Sequence, residues 1–406
     1  MHTTAGPVFG APDPAAPDER RTLAVWPADR CPLLARYQVV RFLSSGAYGV
    51  VALVRERALQ PPGPGETDEQ EWVVKLQRLD DQRAGEITVE KAIHVLLEQW
   101  RVAHPRALVH VVRFYDWTQC QLAPADILAP LGLADEVRAY DAMVTERLAD
   151  SLWSVLRTYE PVLAESSLTF QHDYYAALLV QVVAQLVLLL TLSSGTFEHN
   201  DLRTPNVLVR RVPYEQPRNQ FLVYHLPGAP APLSVPLAWC HYSVLALTDF
   251  GRSSVSFTPD VATAPAADRR RQTLESPQTS SAKASAAVTL RTAPPESTAF
   301  ASALGYTNDL AVFLDWLVSE NVPFRASPLF GALRFALFIA NTRGPMGAAM
   351  LTSLLYTDGF FSRLWGVPLP PDELATVVTL EPFGNAAPTV EITSAISRVP
   401  SAPGCR

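Results

Sequence analysis

His199-Asn200-Asp201-Leu202-Arg203-Thr204-Pro205-Asn206, read together with Thr248-Asp249-Phe250-Gly251, is the part of the sequence that decides the fold. Asp201 and Asn206 are 206 − 201 = 5 positions apart, a spacing at which a loop can return an amide oxygen beside a carboxylate. Asp249 supplies a second carboxylate, and an apolar strand stands beside each motif, at Val207-Leu208-Val209 and at Val244-Leu245-Ala246-Leu247. Either motif alone is a common accident. In this order they suit phosphoryl transfer, which asks a protein mainly for positioned charges around two metal ions and a nucleophilic hydroxyl. On that reading Asp201 receives or orients the hydroxyl proton, Asn206 and Asp249 hold the metal, and Arg203 offsets charge on the transferred group.

Upstream, Tyr37 to Leu43 and Val50 to Arg55 alternate or run apolar around Ser44-Ser45-Gly46-Ala47-Tyr48-Gly49, which predicts two strands joined by a small-residue turn. Trp72-Val73-Val74-Lys75-Leu76 is a short apolar strand interrupted by one lysine, 75 − 49 = 26 positions after Gly49. From Gly85 to Trp100 apolar residues fall at 89, 92, 93, 96 and 97, a helical period. That helix offers two acids, Glu90, which lies 90 − 75 = 15 positions after Lys75, and Glu86. Val109 to Trp117 and Ala142 to Glu146 read as further strands, and Leu168 to Ser194 as a long helix.

These elements resemble the eukaryotic protein kinase superfamily, over roughly residues 37 to 320 and in the family's order. The resemblance implies an α+β, bilobal fold with a small β-rich N-lobe, one main N-lobe helix and a larger helical C-lobe. It implies ATP as the phosphoryl donor and Mg2+ (or Mn2+) as the metal. Ser44, Gly46, Tyr48, Gly49 and Val51 match the glycine-rich loop that covers the phosphates, with Ser44 replacing the first glycine of the pattern. Lys75 would hold the α and β phosphates and Glu90 would lock Lys75, with Glu86 as runner-up. Thr145 would be the gatekeeper, and Glu146 to Leu148 the hinge facing the adenine. Asp309 resembles the buried acid that fixes the catalytic-loop backbone, a place where capping alone also favours an Asp.

Between Asn206 and Asp249 the chain is long, 249 − 206 = 43 positions, and Phe221 to Gly228 with Val235-Pro236 reads as an inserted hairpin, within about 210–246. This hairpin, Asn200 in place of arginine, and Arg252 after the Gly resemble haspin-type kinases and the predicted kinases of large DNA viruses. Arg203, a like-charged variant of the family's lysine, implies Ser/Thr acceptors. The arginine usually found at Asn200 pairs with a phosphate on the activation segment, and asparagine supplies no such charge. Activity is therefore expected to be independent of that phosphorylation, so replacing the Ser and Thr residues of 253–302 by Ala should leave it largely intact.

Composition sets the remaining bounds. The 406 residues suit a kinase domain of about 250 to 300 residues with extensions. A formal charge of 33 − 40 = −7, without a face-forming run of Lys and Arg beyond the short Arg269-Arg270-Arg271, makes nucleic acid no evident partner. Cys31, Cys120, Cys240 and Cys405 are scattered, so neither a zinc site nor a disulfide framework is expected, and a reducing compartment is the default. The apolar run Ala176 to Leu192 carries Gln181 and Gln185, which favours a buried helix over a membrane span.

The expected organisation is a disordered arm at 1–30, an N-lobe with hinge at 31–148, a C-lobe at 149–381 and a tail at 382–406. A disordered, Ser/Thr/Ala/Pro-rich activation segment fills about 253–302. The expected setting is intracellular, in host cytoplasm or nucleus or in a virion, with protein substrates of unspecified identity. The departures at Ser44 and in the weak Ala293-Pro294-Pro295-Glu296 signature leave a non-catalytic pseudokinase open. An aminoglycoside-kinase-type small-molecule phosphotransferase shares the catalytic-loop spacing.

Overall fold

The computed structural model describes residues 31, 36–46, 49–56, 71–79, 84–122, 138–212, 220–257, 288–290, 309–321, 324–325, 328–341, 347–371 and 374–380. Tyr48, the arm 1–30, most of 253–302 and the tail 382–406 lie outside them.

The N-terminal half forms a five-stranded antiparallel sheet from β1 (Tyr37–Gly46), β2 (Gly49–Glu56), β3 (Glu71–Arg78), β4 (Phe114–Leu122) and β5 (Arg138–Glu146), in the order β1-β2-β3-β5-β4. Alternation selects its inner face. Val50, Ala52 and Val54 of β2 and Val74 and Leu76 of β3 are buried together with Tyr37, Val39, Tyr140 and Ala142. The odd-numbered Lys75 therefore points to the other face, across from Val51 on β2 and Met143 on β5. Helix α1 (Ala84–Ala103) packs on this second side, and its buried residues Val89, Ile93, Leu96 and Trp100 belong to the larger core that continues into the C-terminal half.

That half is helical: α2 (Leu152–Glu165), α3 (Leu168–Leu192), α4 (Asp309–Glu320), α5 (Pro328–Asn341), α6 (Ala348–Thr357) and α7 (Ser362–Trp365). Ser151 and Ser167 cap the first two by accepting the backbone N–H of Ser154 and Phe170. Helix α3 is apolar all round because it is central, which is how such a helix is accommodated in a globular core. It is the one described helix long and apolar enough to cross a membrane, and 89% of its apolar window is buried inside the fold. Its three glutamines each bond within that core, Gln171 by donating to Leu163 O (2.7 Å) and Ser166 O (3.1 Å). Gln181 donates to Ser243 O (3.1 Å) and accepts from Leu245 N (2.8 Å), and Gln185 accepts from His110 N (3.2 Å).

Two small sheets complete the chain. β6 (Asp150–Ser151), β7 (Val207–Arg211) and β10 (Ser243–Leu247) run in the order β10-β7-β6 and carry the catalytic-loop stretch on one side and the Asp249 turn on the other. The expected insertion is a hairpin, β8 (Phe221–His225) with β9 (Leu233–Pro236), and it is joined in parallel by a C-terminal strand, β13 (Ala375–Thr379), that the sequence did not announce. A short pair, β11 (Val255–Phe257) with β12 (Val288–Leu290), follows the Asp249 turn.

Two expectations are corrected. The strand expected at Val109 to Trp117 begins at Phe114 instead, because the backbone before it is spent on the C-terminal half: Val112 N donates to Leu247 O (3.0 Å) and Leu247 N to His110 O (2.9 Å). Cys31 and Cys120, 89 positions apart, are joined as a disulfide, their Cα atoms 4.6 Å apart. β4 carries Cys120 to the buried sheet face where Cys31 lies, a proximity that sequence spacing does not reveal. Together these elements make an α+β, kinase-like bilobal fold.

Candidate active site

The centre of the site is Lys75. Its Nζ donates to both oxygens of Glu90 (2.8 and 3.1 Å) and to Oδ1 of Asp249 (2.9 Å), so β3, α1 and the Asp249 turn meet at one ammonium. Gln77, two positions along the same strand face, donates to Glu90 Oε2 (3.2 Å). Burial works against the Lys75 charge, but Glu90 and Asp249 outweigh it and hold its pKa above the ordinary value. Lys75 in turn pulls the Asp249 carboxyl below its usual range. Burial pushes the Glu90 carboxyl up, and Lys75 only partly pulls it back. Glu86, one turn earlier on α1, faces Arg252 at 3.7 Å instead.

The catalytic-loop stretch is fixed from below by Asp309. Its Oδ2 accepts from His199 N (2.6 Å) and its Oδ1 from Asn200 N (2.8 Å). This double anchor holds Asn200 at φ 62°, a left-handed conformation in which an asparagine is among the less strained side chains. The chain then turns so that Asn206 Nδ2 donates to Asp201 O (2.9 Å) and to Asp201 Oδ2 (3.0 Å). Arg203 Nε lies 3.4 Å from Asp201 Oδ1, and its guanidinium covers the Trp316 ring. On the other side of the site Asp249 is itself left-handed (φ 62°), which throws its carboxylate toward Lys75 and turns Phe250 inward.

Phe250 is fully buried and joins the halves through a column of rings. Its centroid is 5.2 Å from that of His94 on α1 and 5.1 Å from that of His199, and His94 stacks on Phe114 of β4 at 5.4 Å. Burial, with Lys75 and Arg101 nearby, holds the His94 imidazole down at about 3, so it is a neutral ring in this column.

Around these groups lies a cavity of about 310 Å³, bordered by Gly49, Val51, Lys75, Glu90, Asp201 and Asp249. Arg203 and Arg252 add two cations to its wall. Gly49 approaches β3 so closely that a Cβ there would overlap the Leu76 carbonyl oxygen. Of the other residues expected at the site, Ser44 pairs with Val51 across the β1–β2 ladder and is exposed, and Gly46 pairs with Gly49 at its end. Glu146 and Leu148 do not border the cavity.

Glu146 has a structural partner set that sequence reasoning missed. Its Oε1 accepts from Arg113 N (2.8 Å), and both of its oxygens accept from the Arg210 guanidinium (2.8 and 3.0 Å), tying the end of β5 to β7. Its own N–H goes to Arg113 O (3.0 Å), so the hinge N–H toward an adenine does not come from Glu146. Also missed were Ser253 and Ser254, which bond to the catalytic loop from within a stretch read only for its composition.

The fit to a cation can be judged from the donors. Asn206 spends its amide N–H2 on Asp201, which leaves its amide oxygen for a cation. Asn206 and Asp249 thus offer only oxygens, the donor type a hard divalent ion takes, although Asn206 does not border the cavity that Asp249 lines. Among the described residues there is no cluster of three or more His, Cys, Asp or Glu at ligating distance, so a metal here depends on oxygens brought by the substrate.

No family model matches the chain. No curated protein matches it. Among solved structures it is similar to a crystal structure of a kinase domain, at 14% sequence identity and a TM-score of 0.31, over 54% of this chain and 52% of that one. The match spans about half the length of that kinase domain. The kinase-like assignment stands on the strand order and the geometry described above.

Proposed function

We propose that the chain is an ATP- and magnesium-dependent protein kinase that phosphorylates Ser or Thr hydroxyls of protein substrates. The observation that carries this reading is the double engagement of Lys75 by Glu90 and Asp249 over a cavity that also contains Asp201. A purely structural ion pair needs one carboxylate; two carboxylates on one lysine, from elements 15 and 174 positions away, form a site for a polyanion held with a cation.

The roles follow from the chemistry. Lys75, released in part from Asp249, holds the α and β phosphates, and Glu90 keeps its ammonium in place. Backbone N–H groups of Gly46 and Gly49 cover the phosphates, and Val51, which borders the cavity, faces the base. Asp201 accepts the proton of the acceptor hydroxyl as its oxygen bonds to the γ-phosphorus and the bond to the β–γ bridging oxygen breaks, releasing ADP. Arg203 lies against Asp201 and offsets charge on the transferred group. A Mg2+ or Mn2+ held by Asn206 and Asp249 would supply the remaining charge compensation.

Arg203, a like-charged variant of the family's lysine at that position, supports Ser/Thr acceptors. Asn200, Arg252 and the β8–β9 hairpin support a relation to haspin-like kinases of large DNA viruses, and hence action inside the host cell or in the virion. The Cys31–Cys120 disulfide suits the virion better than reducing cytoplasm.

Transfer of labelled γ-phosphate from Mg-ATP to a generic basic protein, beside Asp249→Ala and Lys75→Ala, tests the proposal. Label on Ser or Thr that vanishes in both variants is the expected result. Magnesium-dependent stabilisation by ATP without transfer would instead identify a nucleotide-binding pseudokinase, and transfer only to a small alcohol a small-molecule phosphotransferase.

A further inference from the structure

Helix α4 meets the catalytic loop along one face. Asp309, Trp316 and Glu320 share that face, at spacings of 316 − 309 = 7 and 320 − 316 = 4 positions. Asp309 takes the His199 and Asn200 backbone N–H groups, and Glu320 Oε2 accepts from the Thr204 hydroxyl (2.5 Å). Between these two contacts the Trp316 ring lies under the Arg203 guanidinium, with Cζ 5.6 Å from the ring centroid.

Arg203 has little else to fix it. Its Nε is buried and forms no hydrogen bond among the described residues, and Asp201 Oδ1, at 3.4 Å, is an ion-pair neighbour only. The side chain is 36% exposed and borders the cavity, so water competes for it and charge alone leaves it several rotamers near the same carboxylate. An aromatic face removes that freedom, because a guanidinium stacks on it while its N–H groups stay free at the edge.

We propose that Trp316 is a positioning residue that seats the Arg203 guanidinium beside Asp201, so that the cation is in place before charge develops on the transferred phosphoryl group. The role assigned to Trp316 rests on the protein kinase reading of the same site. It also accounts for arginine at 203, where lysine would supply the same charge. An ammonium is a compact, strongly hydrated point charge on a flexible stem, and it cannot spread over the ring as the planar guanidinium does. Trp316 does not border the cavity, so its effect passes through Arg203 and falls on the transfer step rather than on nucleotide binding.

Transfer from Mg-ATP to a generic basic protein, measured on the full chain, tests this. Trp316→Leu lowers kcat about fivefold at constant KM for ATP, and Trp316→Phe, which keeps a ring, recovers most of the loss. Arg203→Lys loses a similar factor in the parent and little more in the Trp316→Leu chain, because the two groups act as one. The contact is also read without transfer. The Arg203 Nε–H resonance, assigned by its loss in Arg203→Lys, is displaced by the ring current in the parent and returns to the ordinary arginine position in Trp316→Leu. An undisplaced parent resonance would overturn the inference, even where the leucine variant fails to fold. So would a Trp316→Leu chain with the parent's kcat, a change in KM instead of kcat, or two losses that simply multiply. A parent chain that transfers nothing, with the resonance displaced, would refute the kinase reading and not the seating of Arg203.

Discussion

The Nζ of Lys75 lies 2.9 Å from Oδ1 of Asp249, a residue 174 positions further along the chain. One ammonium thus links the five-stranded sheet to the turn that follows β10, and through Glu90 it also holds α1. Replacing it exposes how much of the site is held by charge. Lys75→Met leaves Glu90, whose side chain is 3% exposed, without its cation, at a cost of about 3 kcal/mol at pH 7. Burial already raises the Glu90 pKa against the pull of Lys75, so removing the lysine raises it further. The stability attached to that raised value is fully present below the unfolded carboxylate pKa and lost as pH rises through the folded one. The deficit of the variant should therefore shrink between pH 7 and pH 5 in urea unfolding. An equal deficit at both values would mean that Glu90 is not the source.

Gly49 and Gly251 should respond to the same added methyl to very different degrees. At Gly49 a Cβ overlaps the Leu76 carbonyl, so Gly49→Ala pushes β2 from β3, costs about 1–3 kcal/mol and removes ATP-induced thermal stabilisation. At Gly251 the nearest atom is Glu86 O at 3.7 Å, an ordinary contact, and Gly251→Ala costs less than about 1 kcal/mol. Thermal melts with and without Mg-ATP separate the two.

Asp141 on β5 gives a pH signature away from the site. Burial pushes its carboxyl up to about 6, against the pull of Lys91 on α1. Its contribution to stability is complete below the unfolded value of roughly 4 and is lost as pH rises through about 6. Asp141→Asn should accordingly stabilise the protein by about 1 kcal/mol at pH 7.5 and leave it unchanged near pH 4, allowing for partial solvent screening. A gain of the same size at both pH values would assign the effect to packing.

The Cys31–Cys120 bridge closes a long loop. Reduction with dithiothreitol should lower the unfolding free energy by about 2–4 kcal/mol, and Cys120→Ser should show the same loss with no further response to reductant. Cys240 does not interfere, because burial pushes its thiol up to about 12 and keeps it an inert core group. Identical denaturation curves for the parent chain with and without reductant would exclude a contribution from the bridge.

The candidate-site residues could be picked out because each sits at a fixed offset from a strand or helix whose period is visible. Lys75 interrupts an apolar strand, Glu90 falls on the packed face of a periodic helix, and Asp201, Asn206 and Asp249 flank β7 and β10. What stayed hidden depends on elements distant in sequence. β13 pairs, among the described residues, with β8 alone, about 150 positions earlier, so nothing local marks it. Cys31 and Cys120 meet only after β4 has taken its place at the sheet edge. Glu146 looked like a backbone-only hinge residue, yet its carboxylate is committed to Arg210 and to the Arg113 N–H. Ser254 was hidden for another reason: in a stretch dominated by Ser, Thr, Ala and Pro, one serine carries no signal, and only the backbone exchange with Glu198 singles it out.

Helix α3 has a consequence for synthesis. Gln181 bonds Ala177 O within its own helix, but its other backbone partners, Ser243 and Leu245, come about 50 residues after the helix ends at Leu192. At roughly 5–20 residues per second, a ribosome takes several seconds to deliver them. For that interval the nascent chain displays a 25-residue apolar helix before the strand it packs against exists, a segment that cellular machinery sorting new chains by hydrophobicity would engage. The protein's yield in a given host should then depend on holdase capacity early in translation, and slowing codons between 193 and 243 should lower it.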